Sequence, residues 1–352
     1  MTNLLLLRFS AMGDVALLAP VVQAFTERYP NVVVTLVTRP KFAVFFEQFS
    51  NVRVVGLDAD GRHKGMFGLY QLFRELQQVG TFDVVVDAHQ NLRSFVLKSL
   101  FRLAGIPSIT IDKGRQEKKE LTQKENKIRR PLLHSVNRYA LVFNQAGYAI
   151  QPAKPFQFIT STAAEDEVAT FLNRQSLIPD APWLGIAPFA QHLQKTWPFD
   201  RFAPLLEQLY QTQPLNIFLF GGGASDIAQL ETLKQRFPQA VLVAGQLSLA
   251  AELALIRRLN GMVCMDSGNM HLAALSGVPV LSIWGATHPD AGFGPWSQGD
   301  EAILQVSPDQ LTCRPCSVFG SKPCFRGDLA CLKWISVDVV AARIGQMLGF
   351  AV

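Results

Sequence analysis

No stretch of this chain approaches the roughly 20 consecutive apolar residues needed to cross a bilayer, so a helical membrane span is excluded although 49% of the residues are hydrophobic. The first apolar run, Leu4 to Leu7, is too short for a secretory leader, has no basic flank before it, and is broken by Arg8 and Asp14. That reading predicts a cytoplasmic protein. A Walker A sequence is missing, which removes the P-loop nucleotidases. The run Gly221-Gly222-Gly223 lacks the rest of a G-x-G-x-x-G pattern and comes late in the chain, so a dehydrogenase fingerprint is not supported. Cysteine is scarce, five in 352 residues, and four of the five fall between positions 313 and 331.

What is present is length and alternation. A chain of this size with 17% charged residues is long enough for two domains with separate cores. Strand-like runs alternate with helical patterns in both halves. In the first, Val32 to Val37, Val52 to Leu57, Val84 to Asp87 and Ile106 to Ile111 read as strands between helices such as Met66 to Val79 and Asn91 to Leu103. In the second, Trp183 to Ala187, Ile217 to Phe220, Ala240 to Ala244, Met262 to Met265 and Val278 to Trp284 repeat the pattern. Two doubly wound parallel sheets are the natural solution. The weakest patterning, Ala149 to Ile159 with Pro152 and Pro155, marks the linker and predicts domains over 1–155 and 156–352.

Ligands of open parallel sheets bind outside the carboxyl ends of the strands, and four such junctions carry polar groups. Leu4 to Arg8 leads through Phe9-Ser10-Ala11-Met12-Gly13-Asp14 into an amphipathic helix expected from Val15 to Tyr29, with Asp14 near its first turn. Trp183 to Ala187 leads into a loop holding Lys195 between His192 and Trp197-Pro198. Ile217 to Phe220 leads into the glycine run and Asp226. Met262 to Met265 leads into Asp266-Ser267-Gly268-Asn269-Met270-His271, where Ser267 is placed to cap a helix whose first N–H groups and dipole would receive an anion. Gly268 would let a ligand approach the backbone there, and His271 lies one turn in.

The sequence resembles the lipopolysaccharide heptosyltransferases of glycosyltransferase family 9 along essentially its whole length. The resemblance is carried by Arg8-Phe9-Ser10-Ala11-Met12-Gly13-Asp14, Lys195-Thr196-Trp197-Pro198, Asp266-Ser267-Gly268-Asn269-Met270-His271 and Trp284-Gly285-Ala286-Thr287-His288-Pro289, in that order. It implies an α/β chain of the GT-B class, two Rossmann-like doubly wound parallel-sheet domains facing a central cleft, with acceptor bound by the first and nucleotide sugar by the second. It further implies an inverting transfer of heptose, from ADP-heptose, onto an inner-core lipopolysaccharide glycolipid. Asp14 would be the general base and Lys195 would meet the leaving diphosphate. The donor would touch Ser10, Gly13, Gly222, Asp226, Asp266, Ser267, Gly268, Met270 and His271, with Asp226 accepting ribose hydroxyls and Asp266 sugar hydroxyls. Independently of the resemblance, His89 and Arg93 follow the end of the Asp87 strand and would line the acceptor side, although His89 reads more simply as a satisfied surface histidine. The last helix, Val337 to Leu348, is similar to the terminal helix that in this class crosses back to the first domain. One departure is Phe189-Ala190, where many relatives carry small or hydroxyl residues.

The Asp-x-Asp signature of metal-dependent transferases is not met in the donor half; Asp58-Ala59-Asp60 follows a strand of the first half and reads as a loop, so no metal is expected in catalysis. Two readings compete with glycosyl transfer. A nucleotide-sugar epimerase of the same fold needs no acceptor, and a non-catalytic glycolipid-binding relative would have no use for Asp14.

Charge and cysteine are both clustered. Between Lys113 and Arg130 eight cations, Lys118 and Lys119 among them, face three glutamates, an excess equal to the chain's net charge of +5. A solvated loop is one reading; a surface for an anionic glycolipid acceptor and the inner-membrane headgroups, with the protein peripheral to that membrane, is the other. Nucleic acid is disfavoured, since the stretch has no aromatic residue on which bases would stack. In a reducing compartment Cys313-x2-Cys316-x7-Cys324-x6-Cys331 reads as a structural zinc site or as four reduced thiols, with an iron-sulfur cluster as a lesser alternative, while Cys264 reads as a small core residue.

Overall fold

The computed structural model describes residues 2–152 and 155–352. The expected linker therefore lies in part outside the described residues. The chain divides into two compact units, one of residues 1–115 and 133–156 and one of residues 116–132 and 157–352.

In the first unit the all-Leu run forms β1 (Thr2–Leu7). The single helix expected after it is two, α1 (Met12–Ala16) and α2 (Ala19–Arg28). Pro20 explains the break, because in one continuous helix its ring would meet the carbonyl of Ala16 and leave that carbonyl without a donor. There follow β2 (Val32–Thr38), β3 (Val52–Gly56), α3 (Gly65–Val79), β4 (Val84–Asp87), α4 (Leu92–Leu103), β5 (Ser108–Thr110) and, after α5 (Arg115–Thr122), which beyond Arg115 groups with the second unit, α6 (Ser135–Gln145). The strands pair in parallel in the order β3-β2-β1-β4-β5, with Leu4 to Leu7 registered against Val34 to Val37 on one side and Val84 to Asp87 on the other. Strands buried on both faces need apolar residues at every position, which is why these runs do not alternate. One face is covered by α3 and α4, whose Leu72, Phe73, Leu76, Leu97 and Phe101 close over Leu5, Leu7 and Val85. The rings of Phe73 and Phe101 meet edge to face at 4.8 Å.

The second unit contains α7 (Thr162–Leu172), β6 (Trp183–Ala187), α8 (Phe202–Thr212), β7 (Asn216–Leu219), α9 (Ala224–Arg236), β8 (Val241–Leu242), α10 (Leu249–Ile256), β9 (Gly261–Met265), α11 (Gly268–Leu275), β10 (Val280–Trp284), β11 (Ile303–Gln305), α12 (Ala330–Lys333) and α13 (Val337–Leu348). Its six strands are parallel in the order β11-β10-β9-β6-β7-β8. The edge strand β11 has only three residues and no run long enough to announce it in the sequence. Helix α13 has the expected bounds, and its Val340, Ala341 and Ile344 belong to the core of this unit, with Trp197, Phe202, Val263 and Ile283.

The basic stretch departs most from expectation. All of it after Arg115 groups with the second unit, although it lies in the first half of the sequence. There Lys118 is buried with its ammonium 4.2 Å from the ring centre of Phe293, and Lys127 donates to the carbonyls of Cys313 and Pro315 at 2.7 and 2.5 Å. Arg129 donates to the carbonyl of Thr312 at 2.9 Å. Lys127 and Arg129 fasten the segment to the cysteine loop, while Lys119, Lys124, Arg129 and Arg130 stay exposed; the expected placement of the stretch in the acceptor-binding half is corrected.

Candidate functional site

In the first unit the polar groups gather where β1 and β4 end. Asp14 sits in the first turn of α1 and its Oδ2 lies 2.7 Å from Nη2 of Arg8. Arg8 is the residue directly after β1 and is almost wholly buried, with Nη1 donating to the carbonyl of Ala88 at 2.9 Å. Two steps away Asp87, the buried last residue of β4, accepts from the N–H groups of His89 and Gln90 and from the hydroxyl of Ser94, and lies 3.4 Å from Lys98 Nζ. Asp87 is thus consumed in holding the loop that presents His89.

His89 proves to be a buried residue rather than a surface one. Its Nδ1 accepts from the N–H of Phe9 at 3.3 Å and its ring packs on that of Phe9. Burial first, and then the charge of Arg8, push its pKa down to about 3. The imidazole is therefore neutral at physiological pH and belongs to the packing of this edge. Lys113, expected only as the start of the basic stretch, belongs to this edge too, and its pKa falls to about 8 through burial and the proximity of Arg8. Arg93 stands exposed in the first turn of α4. Lys118 and Lys119, expected beside it, belong to the other unit. Asp58 of the Asp58-Ala59-Asp60 triplet accepts from the N–H groups of Gly61 and Arg62, so the triplet is a loop, as expected.

In the second unit the corresponding edge gathers Lys195, Asp266 and Thr287. Lys195 Nζ lies 2.9 Å from Asp266 Oδ2, and the Thr287 hydroxyl donates to the same oxygen at 2.8 Å. Both contacts fall on Oδ2 of Asp266, which fixes the carboxylate at the end of β9. Close approaches fix Lys195 from two sides. A β-carbon on Gly285 would stand 2.3 Å from the carbonyl oxygen of Gln194, and one on Gly320, whose φ is +77°, would stand 2.5 Å from Cγ of Lys195. Ser267 occupies the N-cap position of α11, yet its hydroxyl makes no capping bond; it is buried and without a hydrogen-bond partner among the described residues. That hydroxyl and the first-turn N–H groups of α11, Gly268 to Met270, form a donor surface suited to an anion. His271 and Met270 follow on the same helix, both buried. Asp226 accepts from the N–H of Gly222 at 3.1 Å through Oδ2 and so closes the glycine turn. Phe189, at the departure from the family pattern, stacks on Phe199 with ring centres 5.3 Å apart. Ser10 and Gly13, expected to touch the donor, belong to the first unit.

A residue missed entirely is Arg314. It is fully buried and has no carboxylate partner among the described residues; it donates to the carbonyls of Gly285 (2.6 Å), Thr287 (3.1 Å), Trp284 (3.3 Å) and Val306 and to the side-chain oxygen of Gln305 (3.0 Å). Burial brings its pKa down to about 10. Beside it Cys313, Cys316, Cys324 and Cys331, all unpaired thiols, line one enclosed void of about 10 Å³. Burial pushes the Cys331 thiol up to about 11 and raises that of Cys316. As the side chains stand, no three His, Cys, Asp or Glu groups among the described residues are arranged to hold a metal ion.

With this geometry in view the chain was compared with known proteins. Residues 69–320 match the sequence profile of glycosyltransferase family 9 (heptosyltransferase). The chain belongs to this family. It is 30% identical over 142 residues to lipooligosaccharide heptosyltransferase 2 of Haemophilus influenzae, a match covering 39% of this chain and only 40% of that relative. Against the lipopolysaccharide core heptosyltransferase OpsX of the same organism, identity is 22% over 312 residues, covering 86% of this chain and 84% of the relative. The structure of a family 9 glycosyl transferase from Veillonella parvula superposes with a TM-score of 0.78 at 19% identity, covering 99% of this chain and 97% of that one. That likeness shows the fold, two Rossmann-like parallel-sheet units of the GT-B class.

The two close approaches to Lys195 and its loop yield a stability test. Gly285→Ala and Gly320→Ala should each lower stability in urea by ~1–3 kcal/mol through forced displacement of their neighbours. Gly222→Ala, where a β-carbon meets nothing within 4 Å, should change it far less. Equal effects at all three positions would show that the packing around Lys195 is not tight.

Proposed function

We propose that this chain transfers a heptosyl group from a nucleotide diphosphate sugar, ADP-heptose by its family, to a hydroxyl of an anionic lipopolysaccharide inner-core glycolipid, with inversion at the anomeric carbon. The observation that carries the reading is Asp14, in a chain of family 9, standing in a helix first turn at the carboxyl edge of β1 with its charge anchored by buried Arg8. The acceptor hydroxyl would give its proton to the Asp14 carboxylate as its oxygen bonds the anomeric carbon. The bond from that carbon to the diphosphate oxygen would break, its electron pair leaving with ADP.

Asp14 and Arg8 act together in this scheme. A carboxylate held by a guanidinium stays ionised and aimed, at the expense of some basicity. In the second unit the departing charge would be met by the N–H groups of α11 and the hydroxyl of Ser267, preorganised donors that need no reorientation during the reaction. An ammonium has three N–H donors, so Lys195 would keep its bond to Asp266 while offering another to phosphate. His89, neutral, would shape the acceptor edge without exchanging protons, and Arg93 would offer charge to an anionic acceptor. None of these steps calls on a divalent metal.

We also propose the cysteine loop as a structural zinc site, on the ground that all four thiols line one void. Their side chains would have to turn inward to form a tetrahedral set, and the ion would take no part in catalysis. Protein purified under reducing conditions should then carry about one zinc per chain, and chelation should lower its melting temperature. Metal-free protein of unchanged stability would contradict this.

Asp14→Asn keeps the shape and removes the base. It should cut kcat at least ~10²-fold while leaving ADP affinity nearly unchanged. Near-wild-type turnover would make Asp14 a helix-terminus carboxylate and place the base elsewhere.

A further inference from the structure

In the first unit α3 and α4 lie side by side on one face of the sheet, and both begin at the carboxyl edge of the strands, the edge that carries Asp14. Their opening turns are oily where solvent is expected. Met66 and Phe67 in α3 are 67% and 82% exposed, Leu92 and Phe95 in α4 are 78% and 58% exposed, and Tyr70 follows one turn on. The buried stripes of these helices run along other positions, Leu69, Leu72, Phe73 and Leu76 in α3 and Leu97 and Phe101 in α4. The exposed set is therefore surplus to the core.

The charge around these turns is positive. Helix α4 contains no acid, and of its cations Lys98 is paired with Asp87 and Arg102 lies in the last turn. At its opening Arg93 is exposed, and Arg115 reaches the same turn by donating to the carbonyl of Gln90 at 3.3 Å. Lys64 precedes the first turn of α3, exposed. The nearby carboxylates are already taken, Glu75 by Arg62 and His63 and Asp60 by Arg39. Large apolar side chains that project from two helix openings, ringed by cations, are complementary to the interface of an anionic bilayer: the former enter the headgroup region and the latter meet lipid phosphates.

We propose that the openings of α3 and α4 dock this chain on an anionic phospholipid surface, so that the carboxyl edge bearing Asp14 lies at the headgroups. This deepens the functional reading above and rests on it in one respect, that the acceptor is a glycolipid held in a membrane. The docking role passes here from the basic stretch after Arg115, which groups with the second unit, to a surface of the first unit that shows its apolar residues.

The test uses the full chain and vesicles of phosphatidylcholine with or without phosphatidylglycerol, without acceptor or donor. Wild-type protein should sediment with the anionic vesicles, less so as salt rises. Met66→Ser, Phe67→Ser, Leu92→Ser and Phe95→Ser combined should weaken that partitioning by ~10-fold or more. The same variant should keep wild-type kcat on a de-acylated, water-soluble acceptor, which shows that it is folded. Unchanged vesicle binding would overturn the proposal. So would binding independent of lipid charge, or a wild-type dimer in ultracentrifugation that the substitutions dissociate, since the patch would then cover a second copy. Vesicle binding that holds while no sugar is transferred would refute the functional reading and leave the docking surface standing.

Discussion

In a parallel ladder no strand returns to its neighbour through a tight turn, so every strand of both sheets is followed by a crossover and all strand-to-helix junctions of a sheet emerge at one edge. Asp14, Asp87, Lys195, Asp266 and Thr287 owe their positions to that constraint: each ends a strand or follows one closely. The same edge collects charge, and each unit manages it with a buried arginine. Arg8 turns one charge-assisted bond onto Asp14 and another onto a carbonyl. Arg314 binds only neutral oxygens and ties the ends of β10 and β11 to the cysteine loop. Removing either would leave acceptors buried without donors, a loss larger than the bonds themselves are worth.

These arginines also separate two kinds of polar residue. Asp87, Asp226 and Asp266 each hold protein groups in place, the first a loop, the second a glycine turn, the third Lys195 and Thr287. Ser267, buried and unsatisfied, is the opposite case, and groups of that kind point to an absent partner.

Much of the architecture was legible in the sequence. The β1, β4, β6 and β9 runs are continuous apolar segments that only strands buried on both faces explain, and the motif around Asp14 announced a helix close to where α1 begins. All but one of the features that escaped had no local signal. The break between α1 and α2 follows from Pro20, which was there to be read. By contrast, the return of residues 116–132 to the second unit depends on cations finding carbonyls nearly two hundred positions away, Lys127 on Cys313 and Pro315. No spacing rule encodes such a pairing. Arg314 between two cysteines and the burial of His89 were hidden for the same reason: one explains how the loop is held, the other sets the imidazole into the packing against Phe9.

The central claim is that this chain moves a sugar onto an acceptor. Mass spectrometry of reactions containing wild-type protein, ADP-heptose and a de-acylated inner-core acceptor tests it most directly. The account predicts a product heavier than the acceptor by one heptosyl unit, ADP in equal amount, and neither without acceptor. Donor consumed at the same rate with no acceptor present, or isomerised without loss of ADP, would contradict it and place the chemistry with the nucleotide-sugar epimerases.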